Sequence, residues 1–119
     1  MQPSLLSARA TREIARANRV LVSPVSCWEM ATLERRGSIR FDRPVQEWIA
    51  RLLEQERIAT AELTVTASAS AGMLGDDFPA DPADRLLYAT ARELVVPFVT
   101  KDSRIRDFAS DARDLKVVW

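Results

Sequence analysis

The 119-residue chain has no histidine and a single cysteine, Cys27, so its chemistry must come from other side chains. The lack of histidine excludes Ser-His-Asp and Cys-His nucleophilic sites, histidine acid–base pairs and Cys/His zinc sites. One cysteine also excludes an internal disulfide. Clustered carboxylates remain, and these are typical ligands of hard cations such as Mg²⁺ or Mn²⁺. The candidates are therefore the carboxylates that a fold could bring together.

Glu29 lies in a predicted helix that is apolar on almost every side. At 100° per residue it falls between Val25 and Leu33, one turn before it and one turn after it. We expect a carboxylate there to be partly buried, and a buried charge needs a metal or another cation as its partner. The alternative is a glutamate that reaches solvent or pairs with Arg36. Glu29 is thus a candidate metal ligand.

Two aspartates lie at the starts of later elements. Asp81 is a predicted N-cap, and Asp84 follows in the first helical turn, at the edge of the apolar face. Asp102 directly follows the predicted strand 97–100, at the carboxyl end where α/β folds gather their ligands. Either residue could serve only to cap a helix. Both are also candidate ligands, and we expect them to converge with Glu29 at one edge of the sheet.

Short apolar strands alternate with helices, which predicts βαβ units around a parallel sheet. Length and composition, with 47% hydrophobic and 29% charged residues, indicate a single globular domain over residues 1–119. The predicted strands are 19–22, 58–63, 97–100 and 115–119, and the predicted helices are 8–18, 24–36, 44–53, 66–74, 81–94 and a short helix or turn at 102–108. In helix 44–53, the positions expected to face the core are Val45, Trp48, Ile49, Leu52 and Leu53.

The chain has a net charge of zero, but its halves differ. Residues 1–59 carry ten Lys/Arg and seven Asp/Glu, and residues 60–119 carry seven and ten. This asymmetry indicates either a basic face with an acidic pocket or an ordinary solvated surface. The longest apolar run, 94–99, is too short to span a bilayer, and the first residues lack the pattern of a secretory signal. We therefore expect a cytoplasmic protein without a membrane partner.

Five blocks in this order resemble the PIN-domain ribonuclease toxins of the VapC type. They are 22–31 (VSPVSCWEMA), 36–37 (RG), 43–48 (RPVQEW), 81–91 (DPADRLLYATA) and 99–102 (VTKD). Each block is weak alone, but the ordered set is specific and covers the chain from Leu6 onward.

The resemblance implies a PIN-like three-layer α/β fold, in which a short parallel sheet is flanked by helices. It also implies a metal-dependent endoribonuclease that cleaves RNA and pairs with an antitoxin that occludes its active site. The acidic cluster of the family corresponds to Glu29, Asp84 and Asp102 here. These catalytic residues would hold one or two Mg²⁺ or Mn²⁺ ions, which activate a water for attack on the phosphodiester.

One part of the family pattern is expected to be missing. Family members open with a strand that ends in Asp, whereas no strand is expected before Leu6 and no acid precedes Glu13. Glu13 cannot substitute, because it is expected to face Arg9, Arg16 and solvent. The fold would then lack its first strand and one metal ligand. The alternative function is a catalytically inactive, truncated module that binds antitoxin or dimerises. Unpaired strand edges at 19–22 and 97–100 predict a homodimer or a larger assembly.

Overall fold

The computed structural model of the chain describes residues 7–119, in which helices and short strands alternate as predicted. The elements are α1 (Ala8–Arg16), β1 (Val20–Val22), α2 (Pro24–Arg35), α3 (Val45–Leu53), β2 (Ile58–Thr60), α4 (Val65–Met73), α5 (Pro82–Leu94), β3 (Phe98–Val99), α6 (Ser103–Ala112) and β4 (Val117–Val118). None of these helices is long and apolar enough to cross a membrane. The expectation that no strand precedes Leu6 lies outside the described residues.

The described residues form two compact units. The middle unit is 18–63 and contains β1, α2, α3 and β2, with β1 and β2 paired in parallel. The terminal unit is 7–17 together with 64–119, and within it β3 and β4 are paired in parallel. The predicted parallel pairing is confirmed. Within residues 7–119 the strands form two two-stranded sheets, β1 with β2 and β3 with β4, so the predicted strands 19–22 and 97–100 do not pair with each other.

Side-chain oxygens cap the starts of five helices in residues 7–119. The capping residues are Ser7, Ser23, Thr64, Asp81 and Asp102, and each accepts a hydrogen bond from a backbone N–H in the first helical turn. α3 differs, because its N-cap is Pro44 and has no side-chain bond. There the Glu34 carboxylate accepts from the Val45 N–H at 3.3 Å. These local signals explain why the helix starts could be predicted.

The core of the terminal unit has an aromatic part and a part made of small residues. Phe78, Tyr88 and Ile105 are at most 2% exposed and pack in one cluster. Ala67 and Ala71 of α4 pack on Ala89 of α5, also almost fully buried. α4 is rich in Ala and Ser, and the close packing expected of such a helix is confirmed.

Three large apolar side chains are more exposed than their sequence positions indicated. Leu53 and Leu94 are the last residues of α3 and α5 and are 37% and 42% exposed, because the apolar stripe that packs inward ends before them. Trp28 is 63% exposed although α2 is apolar on most sides. By contrast, Val45 at the start of α3 is buried as expected.

Candidate functional site

Asp84 lies in the first turn of α5, in the terminal unit, and is half-buried. α5 begins here because Pro82 takes the first helical position and the Asp81 carboxylate accepts from the Ala83 N–H at 2.9 Å. Asp84 itself accepts no hydrogen bond from residues 7–119, so it does not complete a capping box. Burial raises its pKa, and the nearby charges of Asp81 and Asp102 raise the pKa further.

Asp102 is the N-cap of α6 and lies three residues beyond the end of β3. One carboxylate oxygen accepts from the Arg104 N–H at 2.8 Å. The Arg104 guanidinium also binds both oxygens, Nε to Oδ1 at 3.2 Å and Nη2 to Oδ2 at 2.8 Å. The hydrogen bond from this guanidinium lowers the pKa of Asp102. Asp102 therefore does cap α6. The helix itself is longer than predicted, since it ends at Ala112 and the prediction ended at residue 108.

Asp84 and Asp102 lie in the first turn of α5 and at the N-cap of α6, both in the terminal unit. Their carboxylates are near enough that Asp102 raises the pKa of Asp84, while Arg104 lowers it. Among the described residues, 7–119, none donates a hydrogen bond to Asp84, whereas Arg104 donates to Asp102. We call these two carboxylates the acidic pair.

Glu29 lies in α2 of the middle unit and is half-buried, as its position between apolar neighbours predicted. Val25, one turn before it, is buried, whereas Leu33, one turn after it, is 39% exposed. Its convergence with the acidic pair stays a prediction. Within residues 7–119, no group of three or more Asp, Glu, Cys or His side chains is arranged to hold a metal ion. Asp84 and Asp102 are the two predicted ligands that lie within one unit.

Glu13 is held by two cations and faces solvent less than the sequence indicated. Arg16 approaches its carboxylate at 3.2 Å, as the helical spacing predicted. Lys116, next to β4, donates a second hydrogen bond at 2.9 Å and lowers the pKa of Glu13. The Glu13 side chain is only 17% exposed. The contact with Arg16 was expected, whereas Lys116 is too far along the chain for its contact to be recognised from the sequence.

Sequence reasoning also missed Arg85, which follows Asp84 directly. Its guanidinium donates to a ring of backbone carbonyls at the end of α4 and in the α4–α5 connection: Ala71 at 3.4 Å, Leu74 at 2.6 Å, Gly75 at 3.0 Å, Phe78 at 3.3 Å and Pro79 at 3.1 Å. The same group lies 5.7 Å from the centre of the Phe78 ring. Arg85 thus fixes the loop that leads into Asp81 and Asp84. Its place beside Asp84 was the only available signal, since the convergence of carbonyls depends on tertiary structure.

An open cleft of about 330 Å³ adjoins this loop. Its wall includes Asp76 and Asp77 of the loop and the side chains of Arg85 and Arg104. Arg104 therefore contacts Asp102 and also borders the cleft. Sequence reasoning missed Arg104 too, although its position two residues after an N-cap aspartate is a visible signal.

Comparison with known proteins gives two matches. The family model described as "PIN domain" matches residues 3–111, a range that contains Glu29, Asp84 and Asp102. The chain is also 40% identical over 105 residues to Ribonuclease VapC22 of Mycobacterium tuberculosis (strain ATCC 25618 / H37Rv), an alignment that covers 88% of this chain and 79% of that protein. No solved structure matches the chain.

Proposed function

The chain belongs to the PIN-domain family and is of the VapC type, and on that premise we propose that it is a metal-dependent endoribonuclease toxin. It would hydrolyse RNA phosphodiesters in the cytoplasm. The observation that carries the proposal is the acidic pair. Asp84 is half-buried and accepts no hydrogen bond from residues 7–119, and the negative charge of Asp102 raises its pKa. A carboxylate in the first turn of a helix interacts favourably with the helix dipole, but here burial and the neighbouring negative charges still raise the pKa of Asp84.

The acidic pair fits a hard divalent cation. Asp84 has an elevated pKa because burial and neighbouring negative charges oppose its ionisation. A cation would compensate both effects, and carboxylate oxygens are the ligands that Mg²⁺ and Mn²⁺ prefer. When bound, such an ion supplies an activated water and neutralises charge on the phosphate.

The chain's own residues would bind the metal ion or hold its ligands in position. Asp84 and Asp102 would be ligands, Asp81 would hold the start of α5, and Arg85 would hold the loop before it. Glu29 enters the proposal as a third ligand through the resemblance of its block, 22–31, to the family pattern.

We also propose two protein partners, an antitoxin and a second copy of the chain. The resemblance to the family supports the antitoxin. The open strand edges support the second copy, since β1 and β3 each pair with a single strand within residues 7–119. A dimer measured by light scattering at micromolar concentration would support self-association, and a monomer would contradict it.

The proposed activity is tested by RNA cleavage with Mg²⁺ or Mn²⁺ and with the metal chelated. The wild type should cleave only with metal. Asp84→Asn and Asp102→Asn should lose about 100-fold or more, because even residues behind metal ligands are worth 10-fold to 100-fold. Asp81→Asn is the matched control, since it removes a nearby charge and keeps an oxygen that can cap α5. Cleavage that persists in the two ligand variants would contradict the assignment.

The same assay decides between the toxin and an inactive module. A purified chain that cleaves no RNA with either metal, yet binds an antitoxin or itself, would be the catalytically inactive form. Glu29→Gln belongs in the series, and a loss matching that of Asp84→Asn would support it as the third ligand.

A further inference from the structure

Arg104 engages both carboxylate oxygens of Asp102. The guanidinium donates through Nε at 3.2 Å to Oδ1 and through Nη2 at 2.8 Å to Oδ2, which is the fork geometry of a bidentate pair. The backbone N–H of Arg104 also donates to Oδ1 at 2.8 Å. Oδ1 therefore accepts two hydrogen bonds and Oδ2 one, so a metal ion that binds Asp102 through both oxygens would take lone pairs that Arg104 now uses. The guanidinium and a metal ion are therefore competitors for one carboxylate.

The side chain of Arg104 can leave at small cost. It is 69% exposed, whereas the Asp102 side chain is 23% exposed. Within residues 7–119 it makes no ion pair other than the one with Asp102. No packing in a core restrains it, in contrast to Arg85, whose guanidinium is held by several carbonyls. Only the contact with Asp102 fixes its present position.

The surroundings of Arg104 are negatively charged on the side of the acidic pair. Asp102, Asp84 and Asp81 all favour its charged form. A divalent cation at the acidic pair would neutralise these charges and repel the guanidinium at the same time. Arg104 also borders the open cleft, so a displaced side chain has solvent-accessible space beside it.

We propose that Arg104 is an internal counter-ion of Asp102 that a divalent cation displaces, and that its released guanidinium then binds a phosphate of the RNA. This inference rests on the proposed function, because it presupposes a metal at the acidic pair and RNA as substrate. A guanidinium binds a phosphate in the same bidentate way as a carboxylate. Its attachment two residues from Asp102 keeps it near any phosphate held there. Arg104 thus releases the Asp102 carboxylate when the metal ion binds and takes the RNA phosphate as its new partner.

The first test is the affinity of the chain for Mn²⁺ without RNA, measured by electron paramagnetic resonance of the free ion. Arg104→Gln removes the competitor, and we expect it to bind Mn²⁺ about five-fold more tightly, the scale of one unit charge at close range in water. Lys101→Gln is the matched control. It removes the same charge next to Asp102, but Lys101 forms no ion pair within residues 7–119. It should change the affinity by less than two-fold.

The second test is the kinetics of RNA cleavage at saturating Mn²⁺. Arg104→Gln should raise KM about five-fold to ten-fold with kcat nearly unchanged, since a contact made equally in the ground and transition states affects KM alone. Arg104→Lys keeps the charge without the fork, so it should recover part of the loss. Lys101→Gln should shift KM by no more than two-fold.

The outcomes separate the two proposals. A wild-type chain that binds no Mn²⁺ would overturn the metal site and this inference together. Mn²⁺ binding that is equal in Arg104→Gln and Lys101→Gln would overturn the counter-ion role alone. Tighter Mn²⁺ binding without a change in KM would overturn the phosphate contact and leave the proposed ribonuclease intact.

Discussion

At the residue scale, Asp84 is a charge that the metal-free fold compensates only in part, through the Arg104 charge that lowers its pKa. It is half-buried, accepts no hydrogen bond from residues 7–119 and lies in the field of Asp81 and Asp102. An ionised carboxylate in such a place opposes folding. Its presence is explained by a ligand that arrives after folding, which is the role that the proposed function gives it.

This cost predicts how stability depends on pH. The pKa of Asp84 in the folded chain lies above its ordinary value of 3.8. The protonated carboxyl therefore does not lower the stability of the fold, whereas the ionised carboxylate lowers it as pH rises through the shifted pKa. We expect Asp84→Asn to melt at a higher temperature than the wild type at neutral pH without metal. The difference should vanish near about pH 3, where the wild-type carboxyl is protonated too.

Thermal melts of both proteins across this pH range provide the measurement, with Asp81→Asn as the control for loss of a neighbouring charge. Addition of Mn²⁺ should raise the melting temperature of the wild type more than that of Asp84→Asn, which binds the ion more weakly. An Asp84→Asn chain that is less stable than the wild type at neutral pH would instead show that Asp84 serves the fold.

The residues that could be predicted from the sequence are those with local signals. Asp81 and Asp102 were recognisable as caps because an N-cap and its N–H partner lie within three residues. The contact between Arg104 and Asp102 is equally local, but no comparable sequence rule predicts it. The Lys116 contact with Glu13 joins residues 103 positions apart, so only the tertiary structure reveals it.

At the element scale, Arg85 joins the end of α4 to the start of α5. Its guanidinium donates to carbonyls at the carboxyl end of α4 and in the following loop, where a positive charge also interacts favourably with the helix dipole. The loop has to keep one conformation for Asp81 and Asp84 to be positioned. Sequence patterns predicted the loop and both helices, but the sequence contains no signal for the group that holds them.

We expect Arg85→Met to lower the free energy of unfolding by about 2–4 kcal/mol, because several charge-assisted hydrogen bonds are lost while methionine still covers Phe78. Arg85→Lys should recover little of the lost stability, because an ammonium group cannot donate to all of the carbonyls that the planar guanidinium reaches. Urea unfolding of the three proteins gives these values. A loss below about 0.5 kcal/mol, the range of ordinary surface substitutions, would contradict the role of Arg85.

The residue that ends α5 has an unusual backbone conformation. Val95 caps this helix in the left-handed conformation, with φ of 55° and ψ of 51°, which is strained for a β-branched residue. Its side chain is 85% exposed, so little packing offsets the strain. Val95→Gly should therefore stabilise the chain by about 0.5–1 kcal/mol after the entropy of glycine in the unfolded state is counted.

The matched control for this change is Val65→Gly, since Val65 is 88% exposed and lies at the first position of a helix with ordinary backbone angles. It should bring no gain in stability by urea unfolding. Equal effects of the two substitutions would show that the backbone conformation of Val95 is not strained.

At the scale of the whole molecule, the two compact units differ in how much they bury. The buried side chains of the terminal unit include Phe78, Tyr88 and Ile105. In the middle unit, 18–63, the described residues that are buried are Ser23, Val25, Val45 and Ala61. A segment of this size with so few buried residues has too small a core to be stable alone.

We therefore expect the middle unit to depend on the rest of the chain, in keeping with the proposal of a single domain over 1–119. The isolated segment 18–63 should be largely unfolded by circular dichroism, and the intact chain should melt in one calorimetric transition. Two separate transitions in the intact chain would contradict a single domain.

The central claim is that Asp84 and Asp102 bind the same divalent cation, and a Mn²⁺ titration of four proteins tests it most directly. The proteins are the wild type, Asp84→Asn, Asp102→Asn and the double variant. We predict that each single change weakens binding by about ten-fold or more, and that the double variant loses less than the product of the two effects, because one ion is shared. Equal affinity in all four proteins, or losses that multiply as they would for separate sites, would contradict the claim.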